Sequence, residues 1–191
     1  MRWMWLSVAL LGACVEEGAF VEEELLAGGL DEALPEDELA PPGLLEQAIS
    51  QLVPGNPARA TARSAPRGQR IAWVASMNAR GTTCLPALGG ACVDLGAPAT
   101  IVGSAPANVD QWATTRFTVP RNARPGSHVF FQAITIDAAG NVSKSTQYDR
   151  TVGPLACPAI FMPVCGIDGN TYGNSCEMDG AGMLLDHSGP C

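Results

Sequence analysis

Cys157-Pro158-Ala159-Ile160-Phe161-Met162-Pro163-Val164-Cys165-Gly166-Ile167-Asp168-Gly169-Asn170-Thr171-Tyr172-Gly173-Asn174-Ser175-Cys176, followed after fourteen further residues by Cys191, decides how this chain is read. The 35 residues from Cys157 to Cys191 cannot bury enough apolar surface to fold alone, so their four cysteines are best understood as covalent staples. Two bridges are expected. Four cysteines allow three connectivities, and their order along the chain does not choose among them.

The seven residues between Cys157 and Cys165, the segment Pro163-Val164-Cys165-Gly166, the pairs Asp168-Gly169 and Thr171-Tyr172, then Asn174, Cys176 and the closing Gly189-Pro190-Cys191 closely resemble a Kazal-type domain. The resemblance implies a small α+β unit over 154–191 in which Cys157 pairs with Cys176 and Cys165 with Cys191. Closing loops of that size would contribute roughly 3 to 4 kcal/mol per bridge. The resemblance also implies a mode of action. An extended loop enters the cleft of a serine protease as a strand would and is cut very slowly because it is held in place. That loop would run from Cys157 to Pro163, with Pro158, Ala159, Ile160, Phe161 and Met162 meeting the protease. Ala159 would be the primary specificity residue, and Ile160 would follow the scissile bond. Asn174 matches the family's spacer asparagine, whose amide bonds loop carbonyls on either side of that bond. Tyr172 would pack in the small core, and Asp168-Gly169 would form the turn.

Because Ala159 is small and uncharged, the partner expected is a serine protease of the elastase or subtilisin kind. Full members of the family carry six cysteines, and this sequence lacks the first and fifth, which pair with each other. No cysteine is orphaned, but a bridge near the outer end of the loop is missing. The departure supports a second reading, a non-inhibitory surface module for adhesion or recognition that uses the Kazal-like unit as a scaffold.

Upstream, over residues 71–153, the pattern changes to period two with β-branched residues. Ile71 to Met77, Thr100 to Ser104, Thr114 to Val119, Val129 to Ile136 and Val142 to Val152 read as strands separated by Gly, Pro and Asn turns. Short strands at such spacing predict an antiparallel sandwich. The hairpin from Ile134 to Ser143, with Gly140 and Asn141 at its turn, resembles the last hairpin of bacterial immunoglobulin-like or fibronectin-like repeats. Cys84 and Cys92 bracket a turn-rich stretch and read as a loop staple. The fold class expected is therefore mainly β: a sandwich, then a disulfide-rich α+β domain.

Residues 14–70 read as a linker, a disordered stalk. Val15 to Gly55 holds eleven acidic residues and no Lys or Arg, a composition that self-repels and extends. Arg59, Arg63, Arg67 and Arg70 then follow among Pro and Ala. Within the linker, Leu44, Leu45, Ala48, Ile49, Leu52 and Val53 recur at helical spacing and predict a short helix.

Met1 to Ala13 carries Arg2 and then an apolar run too short to span a bilayer. It reads as an export signal over 1–13. Leu11-Gly12-Ala13-Cys14 resembles the lipobox of bacterial lipoproteins, which implies cleavage before Cys14, its lipidation, and anchoring in a bacterial envelope, at the outer membrane or cell surface. With Cys14 acylated, six cysteines are left to pair in an oxidising compartment. A net charge of -8 argues against nucleic acid as a partner. The two histidines, His128 and His187, stand far apart in sequence, and no Cys/His set has metal-site spacing. No nucleophile elbow or general base is recognisable, so neither an enzyme, a metal nor a cofactor is expected.

Overall fold

The computed structural model describes residues 44–191. The expected signal segment, Cys14 and the acidic part of the linker lie outside them. The larger domain runs through β1 (Glu46–Ile49), β2 (Pro57–Arg63), β3 (Arg70–Ser76), β4 (Thr83–Cys84), β5 (Cys92–Val93), β6 (Ala99–Pro106), β7 (Trp112–Thr118), β8 (His128–Ile136), β9 (Val142–Lys144) and β10 (Tyr148–Thr151). One sheet has the order β1-β2-β7 and the other β10-β8-β3-β6, with β9 paired to β8. Neighbouring strands within both sheets are antiparallel.

The expected linker is corrected here, because its second half is strand. In β2, Ala58, Ala60 and Ala62 are buried in the core, whereas Pro57 is exposed and Arg59 and Arg63 are half-buried. The inward positions are alanine, a residue depleted from strands, and Thr61 between two of them is buried as well, so composition and period both hid the strand. The predicted helix over Leu44 to Val53 is likewise β1, whose residues Glu46 to Ile49 pair with Arg63 to Ala60. Leu45, Ala48, Ile49 and Leu52 are buried as the helical pattern required. Gln47 is buried too, with its Nε2 donating to the carbonyls of Phe131 and Thr146 at 3.0 and 2.9 Å. A strand covered on both faces loses its period-two signature, which is why the stripe imitated a helix. The larger domain therefore begins at β1 and not at Ile71.

The strand expected from Val142 to Val152 is interrupted. β9 pairs with the far end of β8 and β10 with its near end, while Ser145 to Gln147 bulge between them. Ser145 Oγ accepts from Ala133 N at 2.9 Å, and Gln132 Nε2 donates to Ser145 O at 2.8 Å, so the bulge keeps its backbone groups paired.

Both faces of β3 are covered, which explains its near-continuous apolar run Ile71-Ala72-Trp73-Val74. Ile71 and Trp73 join Ala60, Ala62, Ala113 and Phe131 in the core between the sheets. Ala72 and Val74 point the other way, onto Val93 and Leu95. That second cluster is roofed by the loop between β4 and β5, which the Cys84–Cys92 bridge closes. At the end of the sandwich where Leu52 meets Val152, the sheets part around an open groove of about 900 Å³ lined in part by Ala75, Met77, Val102, Phe117, Val129 and Phe131.

The smaller domain comprises β11 (Val164–Gly166), β12 (Thr171–Tyr172), helix α1 (Ser175–Gly180) and β13 (Leu185–Ser188), with the sheet order β12-β11-β13. Its core is small: Val164, Met178 and Met183, with Tyr172 against them. Bridges Cys157–Cys176 and Cys165–Cys191 close it.

Candidate functional site

The segment from Cys157 to Pro163 crosses the surface without regular structure. Its apolar side chains face solvent: Ile160 is 55% exposed, Phe161 81% and Met162 68%. Pro158 and Ala159 are exposed as well. Three consecutive large apolar residues thus form an exposed apolar patch on a unit with few buried ones.

What holds this loop is the stretch from Thr171 to Cys176. Cys157 is bonded to Cys176 at one end. Met162 N donates to Gly173 O at 2.8 Å, and Gly189 N donates to Pro163 O at 2.9 Å at the other end. Between them stands Asn174, 6% exposed, whose Nδ2 donates to the carbonyls of Pro158 at 3.2 Å and Ile160 at 3.0 Å. Those two carbonyls flank Ala159 and the bond that follows it. The amide oxygen of Asn174 is occupied elsewhere, accepting from Glu177 N at 2.9 Å as the N-cap of α1. One side chain therefore caps the helix and spans the loop. Glu177 reaches back to Gly173 N at 3.1 Å, a variant of the capping box. A Cβ at position 173 would stand 2.7 Å from Glu177 Oε2, so glycine permits this closure.

The turn between β11 and β12 orients that stretch. Gly169 adopts φ +74°, and Asp168 accepts from Asn170 Nδ2 at 2.8 Å and Tyr172 Oη at 2.9 Å. Partial burial works to raise the Asp168 pKa, but the hydrogen bonds from Asn170 and Tyr172 outweigh it and hold the carboxyl below its ordinary range. Tyr172 is pushed up to about 12 by burial and by donating to Asp168.

Cys165, Asp186 and His187 bring potential ligand atoms close together. The sulfur of Cys165 is committed to Cys191, so no thiolate is available to a metal there. His128 lies at the start of β8, with Nδ1 2.9 Å from Asp149 of β10, in an exposed pair remote in sequence from the loop.

The smaller domain is docked against the sandwich by contacts that the pattern of residues gave no sign of. Arg150 of β10 places Nη1 2.8 Å and Nη2 2.9 Å from the two carboxylate oxygens of Asp179 on α1. Tyr148 Oη donates to the same carboxylate, and Arg150 Nη2 also donates to Ile49 O. Gln51 N donates to Gly180 O at 3.0 Å. Gly182, at φ +69°, lies where a Cβ would be 2.6 Å from Ser50 N, so the two backbones are in direct contact. Arg63 Nη1 donates to Leu185 O on β13 at 2.9 Å.

Residues 143–191 match the family of the Kazal-type serine protease inhibitor domain. The match begins inside the sandwich, within β9, and takes in β10. Among similar proteins, serine protease inhibitor Kazal-type 1 of Sus scrofa is 44% identical over 41 residues, which cover 18% of this chain and 73% of that protein. The four-domain proteases inhibitor of Melithaea caledonica is 42% identical over 43 residues, 19% of this chain and 22% of that protein. A probable pancreatic secretory proteinase inhibitor of Anguilla anguilla is 65% identical over 23 residues, 12% of this chain and 38% of that protein. The chain belongs to the Kazal-type serine protease inhibitor family through this carboxyl-terminal domain. It spans about a fifth of the Melithaea protein and less than half of the Anguilla one.

Proposed function

We propose that the Kazal domain inhibits a serine protease by substrate-like binding of Cys157 to Pro163, with Ala159 in the primary specificity pocket. The observation that carries this reading is the Asn174 amide, which ties the carbonyls of Pro158 and Ile160 on either side of the Ala159–Ile160 bond. A loop held so enters the cleft with little conformational entropy left to lose, and after cleavage its two new ends stay in place. A methyl side chain at 159 suits a shallow or apolar pocket, so elastase-like and subtilisin-like enzymes are the targets. Ile160, Phe161 and Met162 supply apolar area beyond the scissile bond. The chain acts in this reading as an inhibitor and not as an enzyme.

Anchoring through a lipidated Cys14 in a bacterial envelope, with the two-sheet domain as an immunoglobulin- or fibronectin-like spacer, completes the proposal. It rests on the lipobox-like Leu11-Gly12-Ala13-Cys14. The groove at the end of the sandwich favours a second reading, in which that domain recognises a ligand and the Kazal unit is a stable cap.

The test is inhibition of an elastase-like and a subtilisin-like protease by the folded chain, with Ala159→Arg assayed on trypsin. Inhibition that moves to trypsin with the substitution supports the loop as the inhibitory element. A folded, fully disulfide-bonded chain that inhibits none of the three in either form overturns it and leaves the recognition module.

A further inference from the structure

From Cys157 to Met162 the loop is held by Gly173, Asn174 and Cys176, at the amino end of α1, while Gly189 N holds the Pro163 carbonyl at its far end. The question is what fixes α1. It has six residues, too few to be stable by itself, and buries one of them, Met178. Its other end is held by a different domain. Asp179 carries the carboxylate that receives Arg150 and Tyr148, its carbonyl accepts from Arg150 Nη2 at 3.2 Å, and the next carbonyl, of Gly180, accepts from Gln51 N.

Arg150 is 7% exposed, and its Nε has no partner among the described residues. A guanidinium so far from water is tolerated when a carboxylate neutralises it. Asp179 is that carboxylate. The sandwich thus holds a buried cation whose counter-charge belongs to the Kazal domain. The positive group also stands at the carboxyl end of α1, where the exposed helix carbonyls favour a cation.

We propose that Arg150, with Tyr148, is a positioning residue for the protease-binding loop: by gripping Asp179 it fixes α1, and through Asn174 and Gly173 it fixes the carbonyls of Pro158 and Ile160. The inhibitory unit is then the sandwich and the Kazal domain together. The inference rests on the inhibitor reading above, and it adds a dependence of the loop on a strand about 25 Å of extended chain away from it in sequence, at roughly 3.3 Å per residue.

The experiment compares the full chain with Arg150→Met, Asp179→Asn and the double variant, against whichever elastase-like or subtilisin-like enzyme the parent inhibits. Arg150→Met should weaken inhibition about tenfold or more and speed hydrolysis of the Ala159–Ile160 bond by a similar factor, as expected when a preorganised geometry is loosened. Near-UV circular dichroism and the disulfide complement should stay those of the parent. A residue that merely adds stability would leave the hydrolysis rate unchanged in the folded protein. Asp179→Asn should add little in the Arg150→Met background, because the two act as one unit.

Unchanged inhibition and hydrolysis in Arg150→Met, or full additivity in the double variant, overturns the proposal. Should Arg150→Met fail to fold, Tyr148→Phe removes one donor to Asp179 and should shift both quantities in the same direction by less; no shift overturns it. A parent that inhibits nothing refutes the inhibitor reading alone. Hydrogen exchange at the amides of Met162 and Glu177 then decides the positioning claim: faster exchange in Arg150→Met upholds it, and parental exchange overturns it.

Discussion

The two domains solve the same stability problem by different means. The sandwich buries Trp73, Phe131, Leu45, Ile49 and Ile71 almost completely, and its one disulfide staples a surface loop. The Kazal domain buries little more than Val164, Met178 and Met183 and is closed by two bridges spanning 19 and 26 residues of sequence. A large core gains stability through apolar burial, whereas a domain of this size gains it by restricting its unfolded chain. The difference explains why the exposed apolar run Ile160-Phe161-Met162 is tolerable. A domain closed by bridges can leave large apolar side chains outside its core.

The contrast can be broken from the sandwich side. Trp73→Ala empties the centre of its core and should cost about 3 to 5 kcal/mol. Calorimetry or denaturant titration should show the sandwich transition moving sharply down with all three bridges intact. A loss below about 1 kcal/mol would mean that the core is not what holds this domain.

From the other side, reduction of Cys157–Cys176 and Cys165–Cys191 should unfold the Kazal domain, each bridge being worth roughly 3 kcal/mol. The sandwich should keep its near-UV signal, and Trp73 its buried environment. If reduction leaves the amide of Met162 protected, the loop does not depend on the bridges, and the comparison fails.

The smallest effects are those of pH. Asp94, on the sandwich, is held below the ordinary value of 3.8 by hydrogen bonds from Lys144 and Gln132. Asp168 is lowered in the Kazal domain, burial being outweighed by its hydrogen bonds. Both contribute stability that is present above the ordinary carboxylate range and lost as pH falls through their depressed values, so both domains should weaken below about pH 4. Tyr172 has the opposite sign: its raised pKa contributes stability that is present below its ordinary 10.0 and lost as pH rises through about 12. Burial raises Tyr148 of β10 as well, so a thermal scan should show loosening at alkaline pH to which both tyrosines contribute, and Tyr172→Phe should shrink it. An alkaline transition undiminished in the variant would assign it to other groups.

Much of the site was readable because its determinants are local. Cys157, Cys165, Asp168-Gly169, Tyr172, Asn174 and Cys176 fall within one stretch of twenty residues, and their spacing carries the family resemblance through which the pairing and the role of Asn174 were expected. β3 and β8 were legible for a similar reason, being rich in β-branched and aromatic residues. β2 was not, since its inward alanines have too little apolar area to announce it and Thr61 between two of them is buried as well. β1 was misread as a helix because burial on two faces erases the alternation.

What the amino-acid sequence determined alone was the character of the smaller domain, with cysteines where apolar residues are few, and, through the family resemblance, an asparagine placed opposite two loop carbonyls. Tertiary structure decided where the sandwich begins and which group completes the buried charge of Arg150. Asp179 lies 29 positions from it, and Ile49, whose carbonyl it also meets, lies 101 away. Such contacts depend on the fold bringing distant backbone together, and no periodicity or spacing along the chain records them.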